Sequence, residues 1–78
     1  MTFQERNYFG GLTPAEMGVL MMLADGLTQT EIAAERYTSV ATVHEQVKQL
    51  RGKLGAKTIA HAVALAYHRS LLVPLGRL

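Results

Sequence analysis

Seventy-eight residues allow one small domain with one core, and the 49% hydrophobic content is enough to fill it. With no cysteine, the chain is neither a disulfide scaffold nor a thiolate metal site. The net charge of +2 is unevenly spread: residues 1–35 set Arg6 against Glu5, Glu16, Asp25, Glu31 and Glu35, whereas residues 36–78 set seven Lys and Arg against Glu45 alone.

No apolar run reaches the roughly 18 residues of a membrane span, and the N-terminus lacks a charged-then-apolar targeting pattern. The expected setting is the cytoplasm, with no membrane partner. Residues 1–11 show no sustained period, and Gly10-Gly11 makes a flexible joint, so an N-terminal arm is expected. Its Phe3, Tyr8 and Phe9 are free to pack on the domain. A helix starts next: Thr13 is the N-cap, Pro14 takes the first helical position and Glu16 completes a capping box. Leu12 and Met17 stand at the two positions of a hydrophobic staple. Met17, Leu20, Met21 and Ala24 are the expected buried stripe, and Gly26 ends the helix in a left-handed conformation.

Thr28 and Glu31 form a second capping box, opening a short helix that buries Ile32 and Ala33. Arg36-Tyr37-Thr38 follows without a glycine, which predicts either a strained turn or a longer helix. Ser39 caps the third helix, which runs over about 40–54 until Gly55 stops it. Val43, Val47, Leu50 and Leu54 recur at steps of four, three and four, the period of one buried stripe. The opposite face carries Ala41, His44, Glu45, Lys48, Gln49 and Gly52, short or polar and free of large apolar groups. A helix presented this way after a short helix and a tight turn has the geometry of a helix-turn-helix recognition helix. An ordinary surface helix in a small bundle is the competing reading.

Thr58 caps a fourth helix over about 59–71. Ile59, Ala62, Val63, Ala66 and Ser70 form the stripe expected to close the core. The other side, with His61, Ala64, Leu65, His68, Leu71 and Leu72, is too apolar to be left to water. Pro74 and Gly76 end regular structure and leave a tail. Four cations, Lys48, Arg51, Lys53 and Lys57, cluster at one end of the candidate recognition helix, the footprint expected for phosphate contact. No catalytic constellation is present: Glu16 and Glu31 have capping work, there is no Gly-rich phosphate loop, and no serine has a plausible base. His44, His61 and His68 lack the spacing and carboxylate partner of a metal site. No cofactor is implied.

Leu12-Thr13-Pro14-Ala15-Glu16, Leu23-Ala24-Asp25-Gly26-Leu27-Thr28, Glu31-Ile32-Ala33, Thr42-Val43, Lys53-Leu54-Gly55 and Ala62-Val63-Ala64-Leu65-Ala66 fall in the order and spacing of the LuxR/GerE-type helix-turn-helix domain. The chain resembles that family from about residue 12 to residue 72 without a gap. The resemblance implies an all-α, four-helix fold whose third helix enters the DNA major groove and whose fourth makes a dimer. It divides the chain into an arm (1–11), a helix-turn-helix domain (12–72) and a tail (73–78). Lys48 matches a position that is often polar or basic and contacts DNA, and Thr42 matches a threonine near the phosphates. His44 stands where the family commonly has a basic residue and Glu45 where it has a small or aliphatic one. Ala41 and Gly52 replace frequent basic residues, Arg36-Tyr37 replaces Leu-Gly, and Arg51 replaces an aliphatic.

The expected function is therefore sequence-specific duplex DNA binding by a homodimer that regulates transcription at an inverted-repeat site. The candidate DNA contacts are Ser39, Thr42, His44, Glu45, Lys48, Gln49, Lys53 and Lys57. The candidate dimer interface is His61, Ala64, Leu65, His68 and Leu72. The alternative is a helix-turn-helix-shaped module that binds RNA polymerase or another regulator without reading DNA; Glu45, Ala41 and Gly52 favour it, and the basic cluster favours DNA.

Overall fold

The computed structural model describes residues 10–73; the arm aromatics Phe3, Tyr8 and Phe9 and the tail beyond Val73 lie outside the described residues. Among the described residues four helices follow in order: α1 (Pro14–Ala24), α2 (Gln29–Glu35), α3 (Val40–Leu54) and α4 (Ile59–His68). Each starts at a hydroxyl cap. Thr13 Oγ1 accepts from the Glu16 N–H at 3.1 Å while Glu16 Oε1 accepts from the Thr13 N–H at 3.0 Å. Thr28 and Glu31 repeat this box at 3.2 and 2.8 Å. Ser39 Oγ accepts from the Thr42 N–H at 3.1 Å, and Thr58 Oγ1 accepts from the His61 N–H at 3.0 Å. Caps of this kind are worth about 1 kcal/mol each, which matters for helices too short to stand alone.

The helix ends share one geometry. After α1, Gly26 takes φ +92°, its N–H reaches the Leu23 carbonyl at 3.0 Å, and the Leu27 N–H reaches the Met22 carbonyl at 3.1 Å. This pair of bonds satisfies carbonyls the helix would otherwise leave open. The end of α2 has the same form without glycine: Tyr37 takes φ +55°, and the Thr38 N–H reaches the Ala33 carbonyl at 3.0 Å. The turn is thus the strained one of the two expected forms. The end of α4 repeats it again. Ser70 takes φ +61° and the Leu71 N–H reaches the Ala66 carbonyl at 2.8 Å, so the helix stops at His68 rather than at residue 71. Ser70 is exposed and leaves the predicted stripe.

α3 packs against all three other helices and supplies Val43, Val47, Leu50 and Leu54 to the core. Leu12, Met17, Val19, Leu20, Ile32, Ala33, Ala62 and Ala66 complete it. Two expected stripes need correction. On α1 the buried residues are Glu16, Met17, Val19 and Leu20, whereas Met21 is 52% exposed and Ala24 is half-buried. The helix is apolar nearly all round and is covered by α2, α3 and α4 together, so its buried arc is wide and Met21 falls at the edge. On α4, Leu65 was expected off the core, yet it is half-buried and packs against it, as do Leu71 and Leu72. The positive φ at Ser70 turns the chain so that those last two leucines return to the body. The face of α4 left outside is Ala60, Ala64, Tyr67 and His68.

Tyr37 is 97% exposed, so its ring contributes nothing to packing while its backbone sits in the left-handed region. A non-glycine residue there costs about 1–2 kcal/mol, partly offset by the roughly 0.5–1 kcal/mol of chain entropy that glycine loses on folding. Tyr37→Gly is therefore expected to stabilise the domain by about 0.5–1 kcal/mol, read as a higher urea midpoint at unchanged slope. A lower midpoint would mean the ring makes a contact that this exposure denies.

Candidate nucleic-acid interface

Because one stripe of α3 is buried, the other side is presented: Ala41, Thr42, His44, Glu45, Lys48, Gln49 and Gly52 are all exposed. Ser39 and Thr42 fix its beginning, since Ser39 Oγ also donates to Thr42 Oγ1 at 2.9 Å. In the next turn Gln49 Nε2 donates to Glu45 Oε2 at 3.3 Å, which ties the carboxylate along the helix instead of to a cation. His44 Nδ1 lies 3.2 Å from Gln29 Oε1 at the start of α2. With a carbonyl oxygen as acceptor, Nδ1 carries the hydrogen and Nε2 is left for another partner. This bond joins the two helices of the helix-turn-helix.

The two remaining lysines of the expected set differ from each other. Lys53 lies on the flank facing α1, where its Nζ is 2.8 Å from Glu16 Oε1. Glu16 is the α1 capping residue and its side chain is 9% exposed, so Lys53 holds α1 to α3 before it can serve any ligand. Lys57 is exposed in the loop between α3 and α4, and its backbone N–H donates to His61 Nδ1 at 3.0 Å. The face thus brings together His44, Glu45, Lys48 and Gln49, with Ser39 and Thr42 at one end and Lys57 beyond the other. Of the expected dimer residues, Ala64 and His68 are exposed on α4, His61 is half-buried and occupied by Lys57, and Leu65 and Leu72 pack on the core.

Two residues outside the expected set join this surface. Gln29, His44, Val47, Lys48, Arg51 and Ile59 line a shallow cleft where the starts of α2 and α4 meet one flank of α3. Arg51 was open to inference, being three residues beyond Lys48 and seven beyond His44 on the same side of a helix. Gln29 was not, because no local spacing links it to His44, fifteen residues away. Among the described residues no group of three or more His, Asp and Glu is placed to hold a metal ion, and no helix is long and apolar enough to cross a membrane.

Residues 11–66 match the family described as bacterial regulatory proteins, luxR family. The chain belongs to that family. It is 35% identical over 66 residues to the nitrate/nitrite response regulator protein homolog of Haemophilus influenzae, an alignment covering 85% of this chain and 32% of that protein. The chain therefore spans about a third of that relative's length. No solved structure matches it. The matched segment is a LuxR-type, all-α helix-turn-helix domain, a DNA-binding module of transcription regulation from a regulator family and not an enzyme family.

The Lys53–Glu16 pair is measurable apart from DNA. A partly exposed pair contributes little, so Lys53→Met, Glu16→Gln and the double variant should give a coupling energy of roughly 0.5–1 kcal/mol that shrinks with added salt. Zero coupling at low salt would make the contact incidental to stability.

Proposed function

We propose that this LuxR-type domain, residues 12–72, binds duplex DNA sequence-specifically as a homodimer, with α3 in the major groove and α4 at the two-fold axis. The exposed polar face of α3, held by Gln29 on one side and by the Ser39 cap at its start, carries the reading. Lys48 offers donors to base edges or phosphates, and His44 offers Nε2 as an acceptor for a base-edge donor. Ser39 and Thr42 stand at the helix start, where hydroxyls meet the backbone. Lys57 is a phosphate contact, and Lys53 a weaker one because its charge is shared with Glu16.

Glu45 is the informative residue. One of its oxygens is held by Gln49, and the other is an acceptor facing outward. In the major groove the base-edge donors are cytosine N4 and adenine N6. Selection from random duplexes with Glu45→Ala should then relax preference at one base pair, a loss of about 1–3 kcal/mol in discrimination. Uniformly tighter binding to all sequences would instead make Glu45 a phosphate-repelling residue. If neither form retains any duplex, the DNA reading is lost and the alternative, a protein-interaction module that docks through α4, takes its place.

The dimer is supported by the outward face of α4, where Ala60 and Ala64 leave room for a second helix and Tyr67 and His68 flank them. Leu65 and Leu72 lie behind this face, against the core, and support it. A two-fold contact uses each residue twice, and recognition helices about one duplex turn apart, ~34 Å, fit an inverted repeat. So small an isologous contact favours pairing on the DNA over pairing in free solution. Ala64→Glu sets two like charges at the axis without touching the core. Cooperative occupancy of paired half-sites should disappear while single half-site binding and the unfolding midpoint stay near wild type. Retained cooperativity would move the dimer contact away from α4.

A further inference from the structure

The flank of α3 opposite Lys53 has no acid to neutralise it. Lys48 and Arg51 line the cleft with His44 and Gln29, and no carboxylate is among its walls. The one ion pair among the described residues is Lys53–Glu16, on the other flank. Three polar groups of the cleft can donate a hydrogen bond: Lys48 through its ammonium, Arg51 through its guanidinium, and Gln29 through its amide NH2, its oxygen being held by His44, whose remaining Nε2 is an acceptor. Val47 is the buried floor, and half-buried Ile59 is the far wall.

Arg51 is the feature that an ordinary helix flank does not need. An aliphatic side chain would fill the space between Val47 and Ile59. Instead a guanidinium is half-buried there, and its Nε–H is buried with no hydrogen-bond partner among the described residues. An unmet buried donor costs about 1–3 kcal/mol, which Arg51 would recover by swinging its guanidinium outward to meet an acceptor at the mouth of the cleft. Guanidinium geometry suits two oxygens of one tetrahedral oxyanion, and the lysine beside it adds a point charge.

We infer that Arg51, with Lys48 and Gln29, forms a phosphoryl-binding cleft that clamps one backbone phosphate of the bound duplex. This rests on the DNA reading above and adds a contact to it. Arg51 lies on the flank of α3, about 10 Å along the axis from His44 at 1.5 Å per residue, whereas base edges are met by the early, outward residues of a recognition helix. A contact there fixes position on the duplex and leaves sequence preference alone.

Anisotropy titrations of a mixed-sequence duplex against wild type, Arg51→Leu, Arg51→Gln and Arg51→Lys, each over a range of salt concentrations, test the clamp. Circular dichroism confirms the fold of each variant, and glutamine serves if leucine perturbs the α3–α4 seam. Loss of one phosphate contact lowers the slope of log K against log salt by about 0.9, which between ~1 M and ~0.15 M salt corresponds to roughly fivefold in affinity. Both neutral variants should lose this slope, lysine should retain most of it, and base preference in selected duplexes should stay unchanged. Equal slopes for all four proteins overturn the clamp while leaving DNA binding intact. If wild type retains no duplex, the DNA reading itself fails, and the cleft is judged by inorganic pyrophosphate followed through the Arg51 Nε–H and His44 ring resonances. Saturable shifts then assign the cleft to a free phosphoryl ligand, and no shifts overturn it entirely.

Discussion

The burial of Val43, Val47, Leu50 and Leu54 along one side of α3 is the constraint on which the other features depend. Each of these residues is at most 5% exposed, and α1, α2 and α4 all pack on the helix that carries them. A buried leucine or valine contributes about 1.5–3 kcal/mol, so rotating α3 by even one residue, about 100°, would bring His44 inward in exchange for core. The outward face is therefore decided by the inward one. Polar residues at 44, 45, 48 and 49 can vary in chemistry without moving, because nothing in the core depends on them.

Most of this frame is legible in the chain because it rests on short-range rules. A hydroxyl three residues before a glutamate is a local statement, and Thr13–Glu16 and Thr28–Glu31 both form the expected boxes. Four apolar residues at helical spacing among polar ones leave a single choice of buried side, and α3 buries that side. α1 offered no such contrast. Its methionines and leucines surround the helix, so the pattern could not separate Val19, which is fully buried, from Met21, which is not. On α4 Ala62 and Ala66 are buried with Ile59 and Val63 packed beside them, as expected, but two helices cover it and the turn at Ser70 brings Leu71 and Leu72 back, so more of its surface is core than one stripe allows.

What the chain did not reveal is long-range pairing. Lys53 and Glu16 are 37 residues apart, and nothing near either residue marks the other as its partner. The same holds for His44 and Gln29. In both pairs a residue of α3 is claimed by a helix that precedes it, and each pairing changes what that residue can offer outside. His44 keeps one ring nitrogen free. Lys53 keeps its charge but shares it.

These pairings sort the positive charge around α3. As a string, Lys48, Arg51, Lys53 and Lys57 make one basic cluster of equivalent members. Folded, the α1 flank is balanced by Glu16 at contact distance, while the flank toward α2 and α4 has no carboxylate at its walls. Interactions at 3 Å survive physiological salt, whereas the field of an unpaired surface charge is damped over a Debye length of about 8 Å. A polyanion approaching α3 therefore meets attraction on the Lys48–Arg51 side at short range and a nearly neutral pair on the other. With Glu45 outward between them, that asymmetry favours one tilt of the helix against a phosphate backbone. A net charge of +2, unremarkable for a domain of this size, is enough when its placement is this uneven.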